Sequence, residues 1–305
     1  MKHLFIINPH AGAYSHEKEI RQSIESLSKP IDYTIYIKKQ KGDSHQAIRN
    51  FMSQHPGEEI RVYACGGDGT LNEVAAAVVG LHNVAFTAYA CGSGNDYIKY
   101  YGKPQLFRNI ENLIKGTPHP IDLMRVNNTY ALNATHFGLD YKVARIMNRL
   151  RRNILIGKRF CYPSAIAWVF LTGMNDFCKV YADGKLINKK DEILLCTVAN
   201  GKYVGGSYCC APLSSNNDGW LEVCLVKPVS LFKILQLINS YKKGQHLEDP
   251  RFEKYIHYCR AKKIEIVGGD TFGVSLDGEP TQGNHFDVEI MPQAVMFIEP
   301  ANQSE

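Results

Sequence analysis

Residues 63–74 read YACGGDGTLNEV: an apolar run, then Gly66, Gly67, Asp68, Gly69 and Thr70, then the helix-forming start Leu71 and Asn72. Glycines at a strand-to-helix turn leave the first backbone N–H groups of the helix unpaired and approachable, and the helix dipole is positive at that end. A phosphate suits such a place. Asp68 does not, because a carboxylate among those amides repels an anion unless a cation lies between them. Mg2+ bound through carboxylate and water is the common solution, so Asp68 is the first magnesium candidate. The alternative for this loop taken alone is a tight turn in which Asp68 bonds nearby amides.

Two further loops have the same architecture. CGSGNDYIKYYG carries Gly92, Ser93, Gly94, Asn95 and Asp96 away from the apolar run TAYA, and Asn8, Pro9, His10, Ala11 and Gly12 follow the first apolar run. Loops at strand ends of one parallel sheet are where open α/β sheets bind ligands. Read alone, the Asn8–Gly12 loop is better accounted for as an Asn-Pro turn leading into a helix. Neither GxxxxGK[ST] nor GxGxxG occurs, which counts against a P-loop NTPase and a Rossmann dehydrogenase.

These loops need strands and helices to hold them. Up to about residue 120, strand-like runs (HLFIINP, YTIYIKK, RVYAC, VAFTAYA) alternate with helical patterns (HEKEIRQSIESL, SHQAIRNFMSQ, LNEVAAAVVG). That βαβα order predicts a parallel sheet covered by helices on both faces. Thr70 and Glu73 have the spacing of a Thr-x-x-Glu capping box at the start of the third helix. From Ile121 onward, strands rich in Val, Ile and Tyr are joined at Asn127-Asn128, Asp183-Gly184, Asp218-Gly219 and Asp277-Gly278, which predicts a mainly antiparallel β domain. Helical interruptions are expected over residues 140–175, 231–243 and 250–259. The fold class is α/β plus β: an α/β domain over 1–120 and a β-sandwich domain over 121–305, its final strand able to pack back on the first.

A chain of 305 residues, 45% hydrophobic, is long enough for two such cores. A net charge of +5 suits an anionic partner but falls well short of a nucleic-acid-binding extreme, so no nucleic acid is expected. Nine cysteines, an odd number without CxxC pairs, read as reduced and cytoplasmic. No run approaches the roughly 18 apolar residues that span a bilayer, so membrane contact would be peripheral. The segment 142–159 fits that role, with Lys142, Arg145, Arg149, Arg151, Arg152, Lys158 and Arg159 interleaved with aliphatic residues and no acid among them. Trp168 in AIAWVFLTGM could flank a lipid entrance. The plainer reading of the segment is a solvated basic face over a core helix.

In order along the chain, the Asn-Pro-x-x-Gly loop, GGDGTLNEV, GSGNDYIKYYG in place of GTxNDFAR, and the late DGE at 277–279 resemble the lipid kinases with a diacylglycerol-kinase catalytic domain. That family includes bacterial diacylglycerol kinases and is similar to sphingosine kinases; NAD kinases are more distant. The resemblance implies ATP and Mg2+ as cofactors and a lipid alcohol as substrate, most simply diacylglycerol. It implies nucleotide contacts from Asn8 to Gly12, from Gly66 to Asn72 and at Ser93, Gly94 and Asn95. By the same carry-over, Asp96 and Asp122 join Asp68 around magnesium, and Asp277 or Glu279 is the general base. Asp218 matches the second aspartate of a structural metal motif whose first position is Ser215 here. Ala11 and Ala13 stand where the family has a serine and a basic residue, and Lys99 replaces its arginine. A soluble kinase of the NAD-kinase kind, or a nucleotide-binding membrane-docking protein with little catalysis, are the alternative readings. The oligomeric state is not legible.

Overall fold

The computed structural model describes residues 1–12, 16–151, 168–169 and 173–302. The first half is a parallel sheet built from β1 (Lys2–Ile7), β2 (Tyr33–Ile37), β3 (Ile60–Gly66) and β4 (Val84–Ala90), in the order β4-β3-β1-β2. It is accompanied by α1 (Glu17–Glu25), α2 (Asp43–Gln54), α3 (Asp68–Ala77) and the short α4 (Ile110–Lys115). β1, β3 and β4 are nearly continuous apolar runs because helices cover both faces of them. Their interior is closed by the stacked rings of Phe5 and Tyr63, and by a 2.8 Å hydrogen bond between Tyr63 and His3 Nδ1.

Strands β5 (Thr117–Val126), β6 (Thr129–Ala131) and β7 (Ala134–Gly138) begin the antiparallel part. The C-terminal strand His285–Glu299 ties the halves together. It pairs antiparallel with Lys263–Gly268 and with β5, and its Met296 and Phe297 lie parallel to Ala85 and Phe86 of β4. One large sheet therefore runs through both halves. A second, wholly antiparallel sheet has the order Ile256–Ala261, Leu221–Val226, Leu195–Ala199, β7, Gly273–Leu276, Glu279–Gln282. Alternate residues such as Phe137, Val198, Val223, Val274, Ile264 and Val288 fill the space between the two sheets, the period-2 consequence of strand geometry.

Helix α5 spans Leu139–Arg151, and α6 spans Leu231–Lys242. The helix expected over 250–259 does not form. Pro250–Phe252 is a single 3-10 turn, and Ile256–Ala261 is a strand paired with Leu221–Val226, where its Ile, Tyr and Cys gain cross-strand partners. The Thr70–Glu73 capping box is also absent. α3 starts at Asp68 with Gly67 as an uncapped N-cap, and the Glu73 carboxylate is held instead by Lys38 Nζ at 2.5 Å and the Ser44 N–H at 3.0 Å. Asp183-Gly184 and Asp277-Gly278 both turn with φ > 0 at each residue, the geometry that Asp-Gly supplies in tight hairpins. The eight described cysteines are free. No helix among the described residues is long and apolar enough to cross a membrane.

Candidate active site

The three glycine loops meet. Asn8, just past β1, donates its Nδ2–H to Thr70 Oγ1 in the first turn of α3, while its own backbone N–H bonds the Cys65 carbonyl. Gly12 packs so closely on the loop after β4 that a Cβ there would lie 2.6 Å from the Cys91 carbonyl oxygen. Gly67 and Gly92 touch backbone to backbone, and both Cys91 and Gly92 donate to the Gly66 carbonyl. Gly69 faces open space, so the uncapped start of α3 can be approached from that side. Pro9, His10, Ala11 and Gly12 continue from Asn8, the His10 N–H closing an Asx turn on Asn8 Oδ1. Gly66, Gly67, Asp68, Leu71 and Asn95 line one narrow recess, and Ser93, two residues before Asn95, is exposed.

Asp68 and Asp96 converge beside Gly94. Asp68 Oδ1 accepts the Asp96 N–H at 2.6 Å and the Tyr97 N–H at 3.2 Å. Its Oδ2 and that of Asp96 both lie within 4 Å of where a Cβ on Gly94 would sit, a space kept clear by the missing side chain. Burial, and then the Asp96 charge, push the Asp68 carboxyl above the ordinary range, so a cation in that space would relieve a real electrostatic cost. At present Asp96 is balanced from the other side. Lys99 Nζ stands 2.5 Å from its Oδ1, and the Gly206 N–H bonds both oxygens at 3.0 and 2.9 Å. Gly206 belongs to the hairpin of Tyr203–Val204 and Tyr208–Cys209, and its carbonyl accepts from Lys99 in turn. No local sequence signal placed this hairpin at the site.

Asp277 reaches the same region from the other end of the chain. Its carboxylate accepts backbone N–H groups from Leu132 at 2.7 Å, Asn133 at 3.1 Å and Ala134 at 2.8 Å. Burial nevertheless pushes its carboxyl up to about 6, with the Asp68 charge adding to that against the pull of the three amides. Glu279, two residues on, is exposed and forms a 3.0 Å surface ion pair with Lys41, from the first half of the chain. The Asp-Gly hairpin turn and the acidic site are thus the same feature.

Residues 2–126 match the diacylglycerol kinase catalytic domain, and residues 133–299 match the YegS C-terminal NAD kinase beta sandwich-like domain. The chain belongs to the lipid kinases of the diacylglycerol kinase type. It is 26% identical to a protein of Shewanella frigidimarina named "Probable lipid kinase YegS-like", over 93% of this chain and 90% of that one. It is 25% identical to the diacylglycerol kinase of Bacillus subtilis, over 90% of this chain and 88% of the relative. In fold it is similar to the crystal structure of a diacylglycerol kinase from Bacillus anthracis, with a TM-score of 0.70 and 23% identity, over 99% and 97% of the two chains. The protein is a lipid kinase, and a kinase family implies ATP as phosphoryl donor.

Several residues of this lipid kinase stand elsewhere than the motifs suggest. Asp122 does not join Asp68 and Asp96. Its oxygens accept the Gly219 and Gln293 N–H groups at 2.7 and 2.8 Å, beside Asp218. The Tyr97 side chain separates the two places: its backbone N–H bonds Asp68, while its hydroxyl accepts from Asn216, whose carbonyl takes the Asp122 N–H. Asp218 has no second carboxylate from position 215; Arg260 bonds it instead and contacts Glu222 at 2.9 Å, so a guanidinium supplies the positive charge there. The Asn72 side chain donates to the Tyr130 carbonyl and accepts from the Leu132 N–H, joining α3 to the segment whose amides hold the Asp277 carboxylate. The Lys142 ammonium is held by the carbonyls of Asn175 and Gly173. Arg145 and Trp168 are exposed, while the Arg149 side chain and the whole of Arg152 lie outside the described residues.

Proposed function

We propose that this kinase transfers the γ-phosphate of ATP to a lipid hydroxyl in a Mg2+-dependent reaction, with diacylglycerol as acceptor and phosphatidic acid as product. The observation that carries the reading is the position of Asp277, held by the same Leu132 N–H that bonds Asn72 of the helix starting at the glycine loop. On this reading residues 1–120 bind the nucleotide and 121–305 the lipid.

The backbone amides at the uncapped start of α3, with Asn8 to Gly12 and Ser93 to Asn95 around them, receive the phosphates. Asp68 Oδ2 and Asp96 would hold Mg2+ directly or through water. Mg2+ commonly takes one or two carboxylates and fills its remaining positions with water and phosphate oxygens. Two converging carboxylates meet that requirement, and no cluster of three or more metal-ligating side chains occurs among the described residues. When bound, the ion neutralises charge on the β- and γ-phosphates. The acceptor oxygen then forms a bond to γ-phosphorus, the bond from that phosphorus to ADP breaks, and the hydroxyl proton passes to the Asp277 carboxylate. Exposed Glu279, paired with Lys41 at the surface, suits the proton transfer less well than Asp277 does.

Contact with an anionic membrane surface brings the enzyme to its substrate, with Arg145 and Trp168 on the exposed side near α5. A mixed-micelle screen with labelled ATP against diacylglycerol, monoacylglycerol, sphingoid bases and ceramide tests the acceptor. Mg2+-dependent label in phosphatidic acid supports the proposal. Label only in a sphingoid product, or only in NAD phosphate when NAD is offered, refutes it.

A further inference from the structure

Helix α6 presents an apolar face that nothing among the described residues covers. Leu231, Phe232 and Leu235 are 42%, 70% and 66% exposed, and their i, i+3 and i+4 spacing puts them on one side. The opposite side is conventional: Leu237 is buried, and Ile234 and Tyr241 pack with Leu194, Val226 and Met174 on the outer face of the second sheet. The exposed trio therefore does not serve the core.

Charge names the occupant. Between Glu222 and Glu248 the chain carries Lys227, Lys233, Lys242 and Lys243 and no acid. Lys233 and Lys254, with Arg251 and Glu253, also line an open groove at the N-terminal end of the helix. An uncovered aliphatic and aromatic stripe with lysines at both ends has the composition of a helix that lies in a membrane interface, its apolar side chains among acyl chains and its lysines at anionic headgroups. A second copy of the chain is a poor match, since it would bring the same lysines face to face.

The position of α6 makes such contact useful. Lys242 Nζ lies 5.6 Å from the centre of the Tyr208 ring, in the hairpin whose Gly206 amide bonds Asp96. We propose that α6 is a membrane-docking helix that seats the enzyme on an anionic lipid surface through Leu231, Phe232 and Leu235, beside the hairpin that closes on the active site. The inference rests on the lipid-kinase reading for its purpose, but its test does not depend on turnover.

The test is co-sedimentation of the full chain with vesicles of phosphatidylcholine alone or mixed with phosphatidylglycerol, comparing the natural protein with Phe232→Ser/Leu235→Ser. Mixed vesicles are expected to retain the natural protein, and the double variant to bind about ten-fold more weakly or worse. Its thermal midpoint and its turnover of a water-soluble short-chain diacylglycerol should not change. Phe232→Trp gives an independent reading, as its added fluorescence should shift to the blue with mixed vesicles and not with phosphatidylcholine alone. Equal binding by natural and double-variant protein, no binding by either, or conversion of a dimer to a monomer by the substitutions would each overturn the proposal. If vesicles bind through α6 but no diacylglycerol is phosphorylated, the acceptor assignment fails and the docking surface stands.

Discussion

Asn72 and Asp277 share one hydrogen: the Leu132 N–H points at Asn72 Oδ1, 3.0 Å away, and at Asp277 Oδ2, 2.7 Å away. This bifurcated bond fixes the turn carrying the proposed base against the helix that begins at the glycine loop. Asn72→Ala removes one acceptor while Asp277 still satisfies the amide, so the stability loss should be modest, about 1 kcal/mol. Turnover should fall more than ATP affinity, because the base loses its alignment with the phosphate. Calorimetry of ATP binding beside steady-state kcat checks this, and a variant weakened only in ATP binding would contradict it.

Replacing the two late acids should separate their roles. Asp277→Asn is expected to lower kcat by about 10²- to 10⁴-fold, the usual contribution of a positioned general base. Glu279→Gln breaks only an exposed ion pair with Lys41 and should stay within a few-fold of the natural enzyme. The asparagine amide must also face three N–H donors, so thermal melting is needed to show that the variant is folded. The reverse ranking would move the proton transfer to Glu279.

Acidity should control the rate through the same group. With the Asp277 carboxyl raised to about 6, it is an ionised base above that pH, and kcat/KM should fall as pH drops through 6. The sign for stability is opposite. The folded state holds this proton more tightly than the unfolded chain, whose carboxyl titrates near 3.8, so the cost of burying the charge is present above pH 6 and shrinks as pH falls through it. A pH–rate profile without an inflection near 6, or one that Asp277→Asn leaves intact, would show that another group titrates.

Gly94 is predicted to be needed for its emptiness. A Cβ there would sit 2.9 Å from Asp68 Oδ2, so Gly94→Ala must displace the carboxylate. The Mg2+ concentration for half-maximal activity should rise about ten-fold, the scale of disturbed support around a metal ligand. An unchanged Mg2+ titration would place the metal elsewhere.

What the sequence disclosed was local. Strand, glycines and helix lie within a dozen residues at 63–74, so the strand-to-helix loop could be read directly, as could the Asp-Gly turn at 277–278. Two errors came from competition that no local pattern records. Glu73 had the spacing of a cap but found Lys38 and the Ser44 amide, and 250–259 looked helical until Leu221–Val226 offered its second half a strand partner. Contacts between distant segments were invisible: Gly206 on Asp96, Lys41 on Glu279, and Arg260 beside Asp218. Asp122 shows the limit of a matched motif. Its type and position agreed with a metal ligand, yet the length of the Tyr97 side chain stands between it and the carboxylate pair.

The proposed phosphate site is tested most directly by lipid phosphorylation in mixed micelles with Asp68→Asn, at saturating ATP and Mg2+ and with folding confirmed by melting. The substitution removes the charge facing the proposed cation while keeping the size of the side chain. Turnover should drop by about two orders of magnitude or more, as when a group stabilising transition-state charge is lost. Natural turnover with an unaltered Mg2+ requirement would mean that the nucleotide and its metal are not held where these three loops meet.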